Sequence, residues 1–172
     1  PLALIDGKSV TALRTGASSG LATALLSKKD SNLAVVFGTG VQAYTQIEAI
    51  RSVRDLEKVK VIGRDIDKAQ KFCNQFDQSV EIGTKDCLID ADIICTATTS
   101  KTPLFEFGDL NPGVHINAVG AHQSASRELP SELIQNGKVF IDQLSPSKHE
   151  AGDILIPIEE GKYTWDKIEG EL

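Results

Sequence analysis

Gly38-Thr39-Gly40-Val41-Gln42-Ala43 is the segment whose residue types and spacing best suit chemistry, and that chemistry is the binding of a diphosphate. Five apolar residues, Leu33 to Phe37, run straight into it, and a helical pattern follows at once. A buried parallel strand that turns tightly into a helix points the positive, donor-rich end of that helix at an anion. Gly38 permits the turn, Gly40 lets the backbone approach phosphate, and Ala43 keeps the helix close to the sheet. The G-x-G-x-x-A spacing therefore points to a dinucleotide whose pyrophosphate lies over Gly38, Thr39, Gly40, Val41 and Gln42.

The end of the next strand chooses between dinucleotides. An acid placed there bonds both ribose hydroxyls of NAD. Here a strand over Val59–Ile62 is followed by Gly63-Arg64-Asp65. With Gly63 in the acid's place and Arg64 next, a guanidinium is available to pair with a 2′-phosphate through two hydrogen bonds, which favours NADP(H) over NAD(H). The competing reading makes Asp65 the ribose acid and Arg64 a solvated cation. Ligands of such sheets bind at the carboxyl ends of the strands. Thr96, Ala97 and Thr98 are thus expected beside the nicotinamide ribose, with Val119 and Gly120 approaching the ring.

These residues need a scaffold, and the rest of the chain supplies its pattern. Pro1–Gly7 reads as a short strand and turn. From Ser9 to about Ser27, Val10, Leu13, Ala17, Leu21 and Leu25 fall on one face of a helix, and Gly16 and Gly20 within it suggest close packing. The helix after Gly40 is expected to carry Val41, Tyr44, Ile47 and Ile50 toward the core. Strands follow at Val59–Ile62, Val80–Ile82, Asp92–Ala97, Val114–Val119 and Lys138–Asp142, with helices over Asp67–Phe76 and Glu128–Gln135. Alternation of this kind predicts an α/β fold, Rossmann-like and doubly wound, with a mainly parallel sheet and helices on both faces. Residues from His149 onward read as less regular.

Composition narrows the partners. A formal net charge of −6 over 172 residues argues against nucleic acid or an anionic membrane. No apolar run approaches membrane-spanning length. The three cysteines, Cys73, Cys87 and Cys95, lack metal-ligand spacing, and Cys95 reads as a small buried residue. No metal site and no Ser-His-Asp set is expected, His115 and His149 read as structural, and a reducing, cytoplasmic setting fits best.

Leu13-Arg14-Thr15-Gly16-Ala17, Gly38 to Tyr44, Ile116-Asn-Ala-Val-Gly-Ala121, Arg127-Glu-Leu129 and Glu150-Ala-Gly-Asp153 together resemble the ornithine cyclodeaminase/mu-crystallin family. The resemblance runs through nearly all the chain. It implies hydride transfer at the α-carbon of an amino or imino acid, as in a ketimine or imine reductase or an alanine-dehydrogenase-like enzyme. It also implies that Arg14 holds the substrate's α-carboxylate, that Thr15 lies at the cofactor, and that NADP(H) is used where a small residue and Arg follow the second strand. In ornithine cyclodeaminases the loop after the fifth strand carries an acid/base aspartate, whereas this chain has Gly120-Ala-His-Gln. His122 becomes the candidate proton donor, and strict cyclodeaminase activity is put in doubt.

Family members are longer at both ends and pair as dimers. Since the chain starts at Pro1 and holds no methionine, the expectation is a nucleotide-binding part of a longer homodimeric protein. Residues 1–30 would link to a substrate and dimerisation domain, 31–150 would bind NAD(P), and 151–172 would return toward that domain. Such a part should bind cofactor with little turnover. Two alternatives stand beside the reductase: an NAD-dependent ornithine cyclodeaminase, and a non-catalytic, crystallin-like NADP(H)-binding protein.

Overall fold

The computed structural model describes residues 2, 3 and 5–172. In chain order the elements are α1 (Gly7–Leu26), β1 (Leu33–Phe37), α2 (Val41–Arg51), β2 (Lys58–Ile62), α3 (Ile66–Cys73), β3 (Val80–Ile82), β4 (Ile93–Thr96), β5 (His115–Ala118), α4 (Ser131–Asn136), β6 (Phe140–Ile141), α5 (Leu144–Glu150), α6 (Gly152–Glu159) and β7 (Gly170–Glu171). The first five strands form one parallel sheet in the order β3-β2-β1-β4-β5. This is the doubly wound architecture the alternation predicts.

Successive side chains of the central strands feed two cores, as a sheet covered on both faces requires. Ala34, Val36, Ile93 and Cys95 pack under α2 and α3 with Ile47, Ile50 and Phe72. Val35, Phe37 and Ile94 face the other way, onto Leu88, Phe105, Ile134 and Ile154. Tyr163 belongs to that second core, with Ile158, Trp165 and Ile168 packed against it, so much of residues 151–172 lies against this sheet.

Several expectations are corrected. Among residues 2, 3, 5 and 6 there is no strand; Asp6 instead caps α1 through the N–H groups of Lys8 and Ser9, and Gly7 is the first helical residue. Pro1 and Leu4, part of the expected strand, lie outside the described residues. The close packing expected at Gly16 and Gly20 of α1 is present, and the large apolar stripe of that helix faces away from the core. Leu13 is 70% exposed and Leu25 64%, while Ala12, Gly16, Ser19, Gly20, Ala22 and Thr23 are buried. The reason is steric. A Cβ on Gly16 would stand 3.0 Å from the carbonyl oxygen of Thr45, and one on Gly20 would stand 3.4 Å from the Ala49 Cβ. The backbones of α1 and α2 lie too close for large side chains between them.

Val41 and Tyr44 are likewise exposed, and α2 buries Ala43, Gln46, Ile47 and Ile50. The helix expected from Glu128 starts at Ser131, because Pro130 disfavours helical backbone at the residue before it. The expected sixth strand shrinks to β6, which pairs in parallel with β7 in a separate two-stranded ribbon. The C-terminal region is more regular than its sequence suggests, with α5, α6 and a turn of 3-10 helix at Trp165–Lys167. Among the described residues no helix is long and apolar enough to cross a membrane.

α1 is fastened at its far end by Arg54. Its guanidinium donates to the carbonyls of Thr23, Ala24, Ser27 and Lys28 at 2.8, 3.1, 3.0 and 2.9 Å, satisfying acceptors that a helix C-terminus leaves open. Below it, Asn117 of β5 donates to the Thr23 hydroxyl at 2.9 Å and meets Nε2 of His115 at 3.1 Å.

Candidate cofactor site

The carboxyl ends of four strands are tied in register by main-chain hydrogen bonds. Gly38 N–H donates to Ile62 O at 3.0 Å, Ala97 N–H to Phe37 O at 2.9 Å, and Val119 N–H to Thr96 O at 2.9 Å. The predicted loops after β1, β2, β4 and β5 therefore leave the sheet side by side. Gly38 sits in the left-handed region at φ 114°, and a Cβ there would lie 2.5 Å from the Ala97 carbonyl oxygen. Only glycine fits that approach.

Gly40 is the N-cap of α2 and supplies no side-chain cap, while a Cβ on it would face open space. The first N–H groups of an eleven-residue helix are thus presented across an open glycine. Beside them Gln42 buries a side-chain oxygen without a partner, as Thr96 buries its hydroxyl at the end of β4. An uncapped helix terminus, open space and unpaired polar atoms along one edge fit a dinucleotide laid across it with its pyrophosphate at α2.

β2 ends at Ile62, as the sequence predicts, and Gly63 follows. A Cβ on Gly63 would stand 3.0 Å from the Thr39 methyl carbon, so this corner is tight. Arg64 is exposed. Asp65 caps α3: its carboxylate accepts the Lys68 N–H at 3.1 Å, which holds its pKa below the ordinary value. The Asp65 side chain caps the helix, and Arg64, between Gly63 and Asp65, is exposed.

α1 and α2 run side by side in one direction, since Gly16 meets Thr45 and Gly20 meets Ala49. Arg14 and Thr15 accordingly stand toward the N-terminal end of α2. Thr15 is half-buried and its carbonyl accepts from Gln46 Nε2 at 3.5 Å; Arg14 is exposed. His122 is exposed in the loop after β5, with Nδ1 2.8 Å from the Gly120 carbonyl. Among the described residues no hydrogen bond joins Arg14 or His122 to the glycine loop. Cys95 is fully buried and its thiol is pushed up to about 12 by desolvation, which removes it as a nucleophile.

The sequence model of the ornithine cyclodeaminase/mu-crystallin family matches residues 1–172. The chain is a member of that family. A Δ1-pyrroline-2-carboxylate reductase of Colwellia psychrerythraea is 40% identical over 181 residues, covering 100% of this chain and 57% of the relative. Among solved structures, Thermococcus litoralis Δ1-pyrroline-2-carboxylate reductase in complex with NADH and L-proline superposes with a TM-score of 0.94 at 37% identity, over 99% of this chain and 55% of that one. An archaeal alanine dehydrogenase dimer with bound NAD gives a TM-score of 0.92 at 32% identity, over 99% and 54%. The chain thus spans somewhat more than half the length of these members of the family or its fold.

Within this family member, two site-edge residues have no role in the sequence reading. Glu128 is completely buried, and its carboxylate accepts from Thr98 N–H at 2.7 Å, Thr98 Oγ1 at 2.6 Å and Gly120 N–H at 2.9 Å. Asp153, at the start of α6, accepts the N–H groups of Glu128 and Leu129 at 2.7 and 2.9 Å. Burial pushes the Asp153 carboxyl up to about 6 against those hydrogen bonds. The signal that could have found Glu128 is Pro130, which excludes Leu129 and Glu128 from the following helix.

Proposed function

We propose that this chain is the dinucleotide-binding unit of a reductase acting on imino acids, with NADP(H) favoured over NAD(H). The observation that carries the reading is the open, uncapped N-terminus of α2 behind Gly38 and Gly40, in a chain 40% identical to a Δ1-pyrroline-2-carboxylate reductase. Gly38, Thr39, Gly40, Val41 and Gln42 would hold the pyrophosphate, and Thr96, Ala97, Thr98, Val119 and Gly120 would border the nicotinamide end. When bound, the nicotinamide supplies or accepts the hydride at the substrate's α-carbon.

The NADP(H) preference rests on Gly63 and Arg64. Engagement of Asp65 in the α3 cap supports it, although the two structures above hold NADH and NAD. Arg14, on the α1 turn toward the start of α2, is suited to hold the substrate carboxylate as a bidentate pair, with Thr15 beside the cofactor. His122 would supply or orient the proton at the substrate nitrogen. The whole protein would work as a dimer, as the archaeal alanine dehydrogenase is described.

The test is an assay of the full-length protein with Δ1-pyrroline-2-carboxylate and, separately, with ornithine. Net consumption of NADPH by the imine supports the reading. Ammonia release from ornithine without net cofactor consumption would replace it with a cyclodeaminase. Tight cofactor binding without turnover of either would leave a binding protein.

A further inference from the structure

Glu128 is an acid buried without a cation: among the described residues no Lys, Arg or His lies within ion-pair distance of it. Burying a carboxylate in that way is costly, so its partners matter. They belong to two loops. Oε1 takes both donors of Thr98 after β4, and Oε2 takes the N–H of Gly120 after β5. The contact dictates a neighbouring residue too, since a Cβ on Gly120 would lie 2.5 Å from Oε2.

The main chain of Glu128 is fixed just as firmly. Asp153 accepts its N–H and that of Leu129, and the Glu128 carbonyl accepts from Leu104 N–H at 2.8 Å. Gly152 packs so closely against the loop after β5 that a Cβ would collide with the carbonyls of Ser126 and Gln123. α6 and the buried acid together thus hold both loops in one place.

We propose that Glu128 is the positioning residue for the nicotinamide half of the dinucleotide, its carboxylate setting the spacing between Thr98 and Gly120. The proposal rests on the dinucleotide reading above. The remaining cofactor groups would rest on Gly38–Gln42, Gly63 and Arg64, none of which has a hydrogen bond to Glu128. The two halves of the ligand can therefore be separated by experiment.

The test is calorimetric titration of wild type and Glu128→Gln with NADPH and 2′-phospho-ADP-ribose, repeated with NADH and ADP-ribose. Glutamine keeps the volume but turns an amide donor toward donors. The expected result is a loss of about tenfold in affinity for the nicotinamide-bearing ligands, as one lost charge-assisted bond predicts, with the two ADP-ribose ligands unaffected. The fluorescence of bound NADPH should also move toward that of the free cofactor. Equal loss for both kinds of ligand, or no loss for either, overturns the proposal. If Glu128→Gln fails to fold, Thr98→Val removes one of the three donors and should show the same selectivity, more weakly; an unselective effect again overturns it. Wild type binding none of the four ligands removes the dinucleotide reading and this proposal with it.

Discussion

Gly38 and Ala97 directly follow the adjacent strands β1 and β4, and a Cβ on Gly38 would come within 2.5 Å of the Ala97 carbonyl oxygen. The glycine turn after β1 and the loop after β4 are thereby locked together at the sheet's carboxyl edge. The glycine serves two needs at once, a φ of 114° and a missing side chain. Either need alone would disfavour substitution.

Gly38→Ala should therefore destabilise the chain by about 2 kcal/mol or more, from left-handed strain and the collision with β4. Urea unfolding measures the loss. Calorimetry at a temperature where the variant is folded should show dinucleotide binding abolished. Unchanged stability would mean that the turn relaxes without disturbing β4.

Arg54→Ala should cost about 2 kcal/mol, because several main-chain carbonyls at the end of α1 lose a charged donor together. Lysine at this position should restore little, lacking the planar fork that reaches them simultaneously. Hydrogen exchange should show the loss concentrated in the last turns of α1 and spreading to β5, where the Asn117 side-chain amide donates to the Thr23 hydroxyl.

The contrast between these two sites explains what was legible in the sequence. The glycine loop was readable because local chemistry dictates it: an apolar run, a tight turn and a helix start are adjacent in the chain. The end of β2 at Ile62 was readable for the same reason. The orientation of α1 was not. Its apolar periodicity marks a face but not what covers it, and close packing on α2 selected the small residues instead. Glu128 was hidden because its partners, Thr98, Gly120 and Asp153, stand 30, 8 and 25 residues away, beyond the reach of local pattern. The C-terminal helices were hidden by brevity, with too few turns to establish a period.

Asp153 gives stability a distinctive pH dependence. Its carboxyl titrates near 6 in the fold, against about 3.9 in an unfolded chain, because burial and the nearby Glu128 outweigh the hydrogen bonds and Arg127. Between those values the folded state holds the extra proton, so this group's contribution is greatest below about pH 4 and is lost as pH rises through about 6. Asp153→Asn keeps an oxygen for the Glu128 and Leu129 N–H groups and removes the titration. Wild type should gain on the order of 2–3 kcal/mol relative to the variant between pH 7 and pH 4. Urea unfolding of both at each pH measures the difference, which includes the repulsion between Asp153 and Glu128 that the variant also removes.

The most direct test of the cofactor assignment is calorimetric titration of the chain with NADPH and NADH, in wild type and in Arg64→Ala. NADPH should bind more tightly than NADH in wild type, and the variant should lose that difference while still binding both. A chain that binds neither dinucleotide, or one that prefers NADH with and without Arg64, would contradict the account.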